Sequence, residues 1–212
     1  MNIPEHMVIL DVESGGFNKK EHALVEVNAM HIGRDLEVKD NFHAYLIPEP
    51  GKIVTEGAAA INGYDPKLWG IFEDGYEPTE EELYNVLEPL YTLDDYRAEA
   101  AAWAKGLPPV IGVAHNVGMD RSWCSELVPE LLEPFVAWEG SNTGWIDTVQ
   151  LMKKYWKKEG VKPGKGMCKL GYACDHFKYA EVTGEAWERH TAIDDCYATL
   201  FLLKMMVKEG LV

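Results

Sequence analysis

The sequence predicts an α/β domain, a mixed central β-sheet flanked by α-helices, and three observations carry that expectation. Strand-like apolar runs near the N-terminus follow one another with short links, as in a meander. Later strand-like runs alternate with segments of helical spacing, which sets helices against the sheet. No repeat or linker divides the 212 residues, a length at which one domain with one sizeable core is ordinary.

The elements follow in order. MVILDVES reads as a strand ending in a turn at Gly15 and Gly16, ALVEVNAMHIG as a second strand, and NFHAYLIPE as a third closed by Pro48 and Pro50. VTEGAAAINGYD predicts a short helix and then a turn at Asn62 and Gly63. TEEELYNVLEPLY opens on a capping signature, Thr79 with Glu82 three residues on, and its Leu83, Val86, Leu87 and Leu90 predict a helix. A further helix runs through YRAEAAAWAKG to Gly106. VIGVAHN is a short strand leading into a helix through VGMDRSWCSELVPELL as far as Pro134. WIDTVQLMKKYW passes from strand to helix, CKLGYACDHF is a short helix, and HTAIDDCYATLFLLKMMVKEG is a long terminal one. The acidic stretch 73–109 reads as a helical insertion, either a solvated helical pair or a surface that meets a partner or restricts access.

Composition narrows the class. A hydrophobic fraction of 47% and a charged fraction of 26% are globular values, and no apolar run approaches bilayer length. MNIPEH lacks the basic region of a signal peptide, so a soluble, cytoplasmic chain with no membrane partner is expected. The four cysteines form no CxxC and are expected to be reduced; Cys168, Cys174 and His176 lack a standard zinc spacing. The net charge of −15 argues at first against a polyanionic partner. Its distribution weakens the objection: ten acids and one base lie between Glu73 and Glu99, while seven lysines and one acid lie between Lys153 and Lys169.

The chemistry-bearing signal is a set of acids beside apolar sequence. Side chains of a strand alternate, so Asp11 and Glu13 project from one face, where they can share a cation or simply face water at the strand end. Asp120 lies five residues beyond His115, Asp147 opens a helix, and Asp195 follows His190 by five positions.

Taken together, these residues resemble the DEDDh subgroup of the DnaQ-like 3'-5' exonucleases, of the ribonuclease H-like superfamily. The DxE motif matches Asp11 and Glu13, the HN-to-aspartate motif matches His115, Asn116 and Asp120 in AHNVGMD, and H-x4-D matches His190 and Asp195 in HTAIDD. INGY, WIDT and KLGYACDHF resemble weaker surrounding signals, so the resemblance covers nearly the whole chain as a single domain, 1–212. One departure is Ser14, Gly15 and Gly16 where the family often has paired threonines and a glycine.

The resemblance implies a ribonuclease H-like fold and a metal-dependent 3'-5' exonuclease that hydrolyses single-stranded DNA ends to nucleoside monophosphates. Two alternatives stay open: an exoribonuclease resembling ribonuclease T, and an inactive interaction module on the same fold. It implies two divalent cations, Mg²⁺ or Mn²⁺, held by Asp11, Glu13, Asp120 and Asp195, with His190 as the general base. Positions five apart lie about 140° apart around a helix, so His190 is expected in the loop before the helix that carries Asp195, with Thr191 and Asp194 capping it. Candidate substrate contacts are Ser14, Gly15, Phe17, Tyr64, His115, Asn116, Lys162 and Lys165, with the aromatics as stacking platforms for unpaired bases. His115 and Asn116 look more like groups that fix the loop around Asp120. The expected partners are single-stranded 3' ends, with a homodimer or a replication or repair partner left open.

Overall fold

β1 (His6–Ser14) is the spine of the sheet, because its side chains are buried on both faces for most of its length. The computed structural model describes residues 3–139, 143–185, 187 and 190–212. β2 (Leu24–Gly33) runs antiparallel to β1, and β3 (Val38–Leu46) antiparallel to β2, the expected meander. α1 (Glu56–Asn62) follows, capped by the Thr55 side chain and closed by Gly63 in the left-handed region. Next come α2 (Glu80–Tyr84), β4 (Leu90–Tyr91), which pairs parallel with β3, and α3 (Leu93–Lys105). β5 (Ile111–Ala114) pairs parallel with β1 and leads into α4 (Val117–Leu127); β6 (Ile146–Asp147) pairs parallel with β5 and leads into α5 (Thr148–Lys158). The chain ends in α6 (Leu170–His176), α7 (Tyr179–Thr183) and α8 (Ala192–Lys208). The six strands lie in the order β4-β3-β2-β1-β5-β6, a mixed sheet between two helical layers.

Strand periodicity sorts the core into two layers. Met7, Ile9, Met30 and Ile32 pack under residues of α5 and α8, among them Met152, Trp156, Leu202 and Leu203. Val8, Leu10, Val12, Val27 and Ala29 pack on the opposite side against Tyr96 and Ala100 of α3 and Trp123 and Cys124 of α4. Continuing the first alternation places Asp11 and Glu13 on the α8 side, opposite Asn28 and Glu26 of β2.

Three expectations are corrected. TEEELYNVLEPLY is not one helix: the Thr79–Glu82 capping box is present, but the helix ends at Tyr84, and Leu90 belongs to β4. Leu83, expected on a packed face, is 55% exposed, while Leu87 and Leu90 pack beside Trp69. The helix through VGMDRSWCSELVPELL stops at Leu127, because Pro129 has no N–H to continue the ladder; a 3-10 turn, Pro129–Leu132, follows. The acidic stretch 73–109 is not simply a solvated helical pair. It supplies an edge strand, and α3 within it buries Tyr96 and Ala100 completely.

Candidate active site

The site forms where β1, α4 and α8 converge. Asp11 and Glu13 arrive from the end of β1, just before a register shift between Glu13 and Ser14. Asp120 lies in the first turn of α4, and Asp195 in the first turn of α8. Asn116, in the left-handed region at φ 78°, turns the chain from β5 into α4, a conformation asparagine tolerates better than most residues. Thr191 caps α8 by accepting from the Asp194 N–H, and its hydroxyl donates to Asp194 Oδ2 at 2.7 Å. Asp194 is thus used in the cap, and Asp195 faces the acids.

His190 stands outside α8 at φ 68° and is exposed. Ligand atoms of Glu13, His190 and Asp195 lie within 4.8 Å of one another, a group able to hold a divalent cation. Asp11, Asp120 and Asp195 are buried. Burial, with Asp120 and Asp195 nearby, raises the Asp11 carboxyl well above the usual range. Burial and the neighbouring Asp195 and Glu26 push Glu13 up to about 9. Asp120 is pushed up to about 8 by burial, although backbone N–H groups, including that of Val12, favour its ionised form. Asp195 rises to about 6 through burial, opposed by a backbone bond from His190 and by Trp187 Nε1, which donates to its Oδ1 at 3.1 Å.

Such a cluster is a poor way to stabilise an empty fold and a good way to hold hard cations. Asp120 Oδ2 is buried with no hydrogen-bond partner, as expected of an oxygen reserved for a metal. The carboxylate donor set fits Mg²⁺ or Mn²⁺. Cys168, Cys174 and His176 form no such group among the described residues; His176 is packed among Tyr155, Trp156 and Tyr172.

Two cavities meet at the acids. The smaller, about 620 Å³, is lined by Glu13, Ser14, Phe17, His22, Ile61 and Asp120 among others; the larger, about 1060 Å³, by Lys153, Lys165, Lys169, Tyr172 and Trp187 among others. They share Asp11, His115, Asn116, Met119, His190 and Asp195.

The proposed substrate contacts divide accordingly. Phe17 is 91% exposed at the smaller cavity, and Ser14 lines the same space while its hydroxyl donates to Gly16 O at 2.8 Å. Gly15 lines neither cavity; a Cβ there would sit 2.3 Å from Ile53 O, so its role is close backbone packing. Tyr64 also lines neither, being tilted against Trp69 at 4.9 Å. Lys165 reaches the larger cavity, while Lys162 is not among its lining residues. His115 is held by the Thr148 hydroxyl at 2.9 Å, and burial keeps it neutral, its pKa lowered to about 4.

Several neighbours were not legible as site residues. Trp187 carries no motif. Glu26 and Asn28 did leave a signal: with His31 they are the polar residues of a strand that is otherwise buried and apolar.

No protein-family model matches the chain. Ribonuclease T of Pectobacterium atrosepticum is 30% identical over 122 residues, covering 55% of this chain and 49% of that protein. Ribonuclease T of Buchnera aphidicola subsp. Cinara cedri is 25% identical over 209 residues, covering 95% of this chain and 82% of that one. The aligned region therefore spans about half the length of the first relative and most of the second. Among solved structures, E. coli exonuclease I in complex with a dT13 oligonucleotide shares the fold at TM-score 0.63 and 15% identity, over 95% of this chain and 41% of that one.

Proposed function

We propose that the chain is a member of the DnaQ-like, DEDDh exonuclease family and that it is a metal-dependent 3'-5' exonuclease acting on single-stranded nucleic acid ends. The observation that carries the proposal is the convergence of Asp11, Glu13, Asp120 and Asp195 beside His190 at the junction of two cavities. Asp11, Glu13, Asp120 and Asp195 would hold two divalent cations, Mg²⁺ or Mn²⁺. When bound, the pair supplies charge stabilisation to the attacking and leaving oxygens of the phosphodiester.

The residues of the chain do the rest. His190, exposed beside Glu13 and Asp195, accepts the proton of the attacking water. Trp187 orients Asp195 through its indole N–H. His115, neutral and tied to Thr148, fixes the turn from β5 into α4, the helix that carries Asp120. The terminal nucleoside occupies the smaller cavity, where Phe17 offers a stacking face to any base. The strand continues through the larger cavity past Lys153, Lys165 and Lys169, whose charges hold phosphates against the background of a chain at −15.

DNA ends are the first reading of the substrate. RNA ends are the second, favoured by the ribonuclease T identity of both sequence relatives. The deciding assay runs end-labelled DNA and RNA strands of one sequence side by side with Mg²⁺ or Mn²⁺. Mononucleotides should be released from the 3' end, and EDTA should stop the reaction. Internal cuts in a circular single strand would overturn the exonuclease assignment, and no cleavage by folded, metal-loaded protein would leave only an interaction module.

A further inference from the structure

β2 is buried along its whole length, yet it carries Glu26 and Asn28 on the face that looks toward the acids. Glu26 is satisfied, with His43 Nε2 at 2.8 Å. Asn28 is not: it is completely buried, and neither its Oδ1 nor its Nδ2 has a hydrogen-bond partner. A buried polar group left unpaired destabilises the fold that holds it, so an apolar residue would make a more stable empty fold. Cys196 of α8 packs against this residue, its Sγ 3.6 Å from the Asn28 backbone carbonyl, and a thiol beside the side-chain amide is too weak a partner to satisfy it.

The register shows what the amide is near. Asn28 lies directly opposite Asp11 on β1 and opposite His43 on β3. Directly opposed residues of an antiparallel pair have Cβ atoms about 4.5–5.5 Å apart, so rotation of the two side chains brings an amide to a carboxylate. A carboxylate oxygen, Asp120 Oδ2, is also orphaned and belongs to the same acidic cluster. Two unsatisfied groups of complementary use therefore flank Asp11, one a free acceptor for a cation and one a free donor.

We propose that Asn28 is a positioning residue of the metal centre: its Nδ2–H donates to Asp11 once cations draw that carboxylate into place, fixing which oxygens face the ions. The proposal rests on Asp11 being a metal ligand. It explains why the strand keeps a costly amide in its core, since the cost belongs to the metal-free form and is recovered on loading. Groups behind a ligand commonly set its orientation in this way.

The test needs no nucleic acid. Mn²⁺ is titrated calorimetrically into wild-type protein and into Asn28→Leu, Asn28→Ala and Asn28→Ser, with thermal melts of each in EDTA. Asn28→Leu and Asn28→Ala should weaken Mn²⁺ binding by about 10- to 100-fold while melting in EDTA at or above the wild-type temperature. Asn28→Ser, which keeps a donor, should bind with intermediate affinity. A purely structural asparagine would show the reverse, lower melts with unchanged Mn²⁺ affinity, and that result overturns the proposal. Should Asn28→Leu overpack and fail to fold, Asn28→Ala, which only removes atoms, carries the same expectation. Absence of Mn²⁺ binding by the wild type would sink the metal-centre reading along with the role of Asn28; equal binding by wild type and variants sinks Asn28 alone.

Discussion

Raising the pH of the metal-free protein above 6.5 should destabilise it, and Mn²⁺ should remove most of that dependence. Glu13 and Asp120 hold their protons in the folded chain up to about 9 and about 8, against 4.5 and 3.8 for the free groups. Between pH 6.5 and 8 the unfolded chain has already lost both protons, so it binds fewer than the folded one, and stability falls as pH rises. Each such group contributes about 1.4 kcal/mol per pH unit, and two give about 3 kcal/mol per unit. Asp11 is raised in the same sense and steepens the slope. For a chain of this size 1 kcal/mol moves Tm by roughly 2–4 °C, so Tm should drop by roughly 6–12 °C per pH unit.

The lower limit of the window matters. His115 is depressed to about 4, so between 4 and 6.5 the unfolded chain binds a proton there that the folded chain does not, which offsets part of the fall set by the carboxyls. Above 6.5 that limb is flat and only the carboxyls remain. Cations replace the protons, so scanning calorimetry in EDTA and in saturating Mn²⁺ over pH 6.5 to 8 separates the two states. Asp11→Asn, which removes one acid while keeping its shape, should raise the EDTA melt and flatten its slope. A Tm that is constant or rises with pH in EDTA, or an Asp11→Asn chain that fails to fold without metal, would refute the argument that the acids strain the empty site.

Two further perturbations separate the parts of the site. His190→Ala should keep Mn²⁺ binding but lose about 10²- to 10⁴-fold in rate together with the rising limb of the pH-rate profile, as for a lost acid-base group; a wild-type rate with an unchanged profile would remove His190 as the base. Replacing Lys153, Lys165 and Lys169 by glutamine should raise KM and shrink its salt dependence with kcat nearly constant, because phosphate contacts away from the reacting bond position the strand; an unchanged salt slope would make these lysines bystanders.

What the sequence made legible follows from how far each signal depends on register. The acids were visible because a carboxylate in a buried strand or helix is a local anomaly, and four of them in one order form a pattern. Glu26 and Asn28 are anomalies of the same kind, but their meaning lies across the sheet, in His43 and Asp11, and pairing register cannot be read along one strand. β4 is two residues long, too short for any period, and exists because it pairs with Tyr45 and Leu46 of β3. Phe17 and Tyr64 are both stacking candidates in the sequence, but Tyr64 packs tilted against Trp69 while Phe17 is left exposed. Lys162 and Lys165 lie in one lysine-rich segment, and only Lys165 lines the larger cavity.

His190 is the opposite case, where a local rule reached the site. Five residues on one helix would point His190 and Asp195 about 140° apart, so a shared centre required the helix to begin between them. Thr191 caps α8 at that place, and the positive φ at His190 turns its side chain out of the helical path. A cap that shifted one turn toward the N-terminus would wind His190 into α8 and carry it away from Glu13 and Asp195. The Thr191–Asp194 capping pair therefore sets the placement of His190 as much as the stability of the helix, and it keeps the acid adjacent to Asp195 in a hydrogen bond of its own.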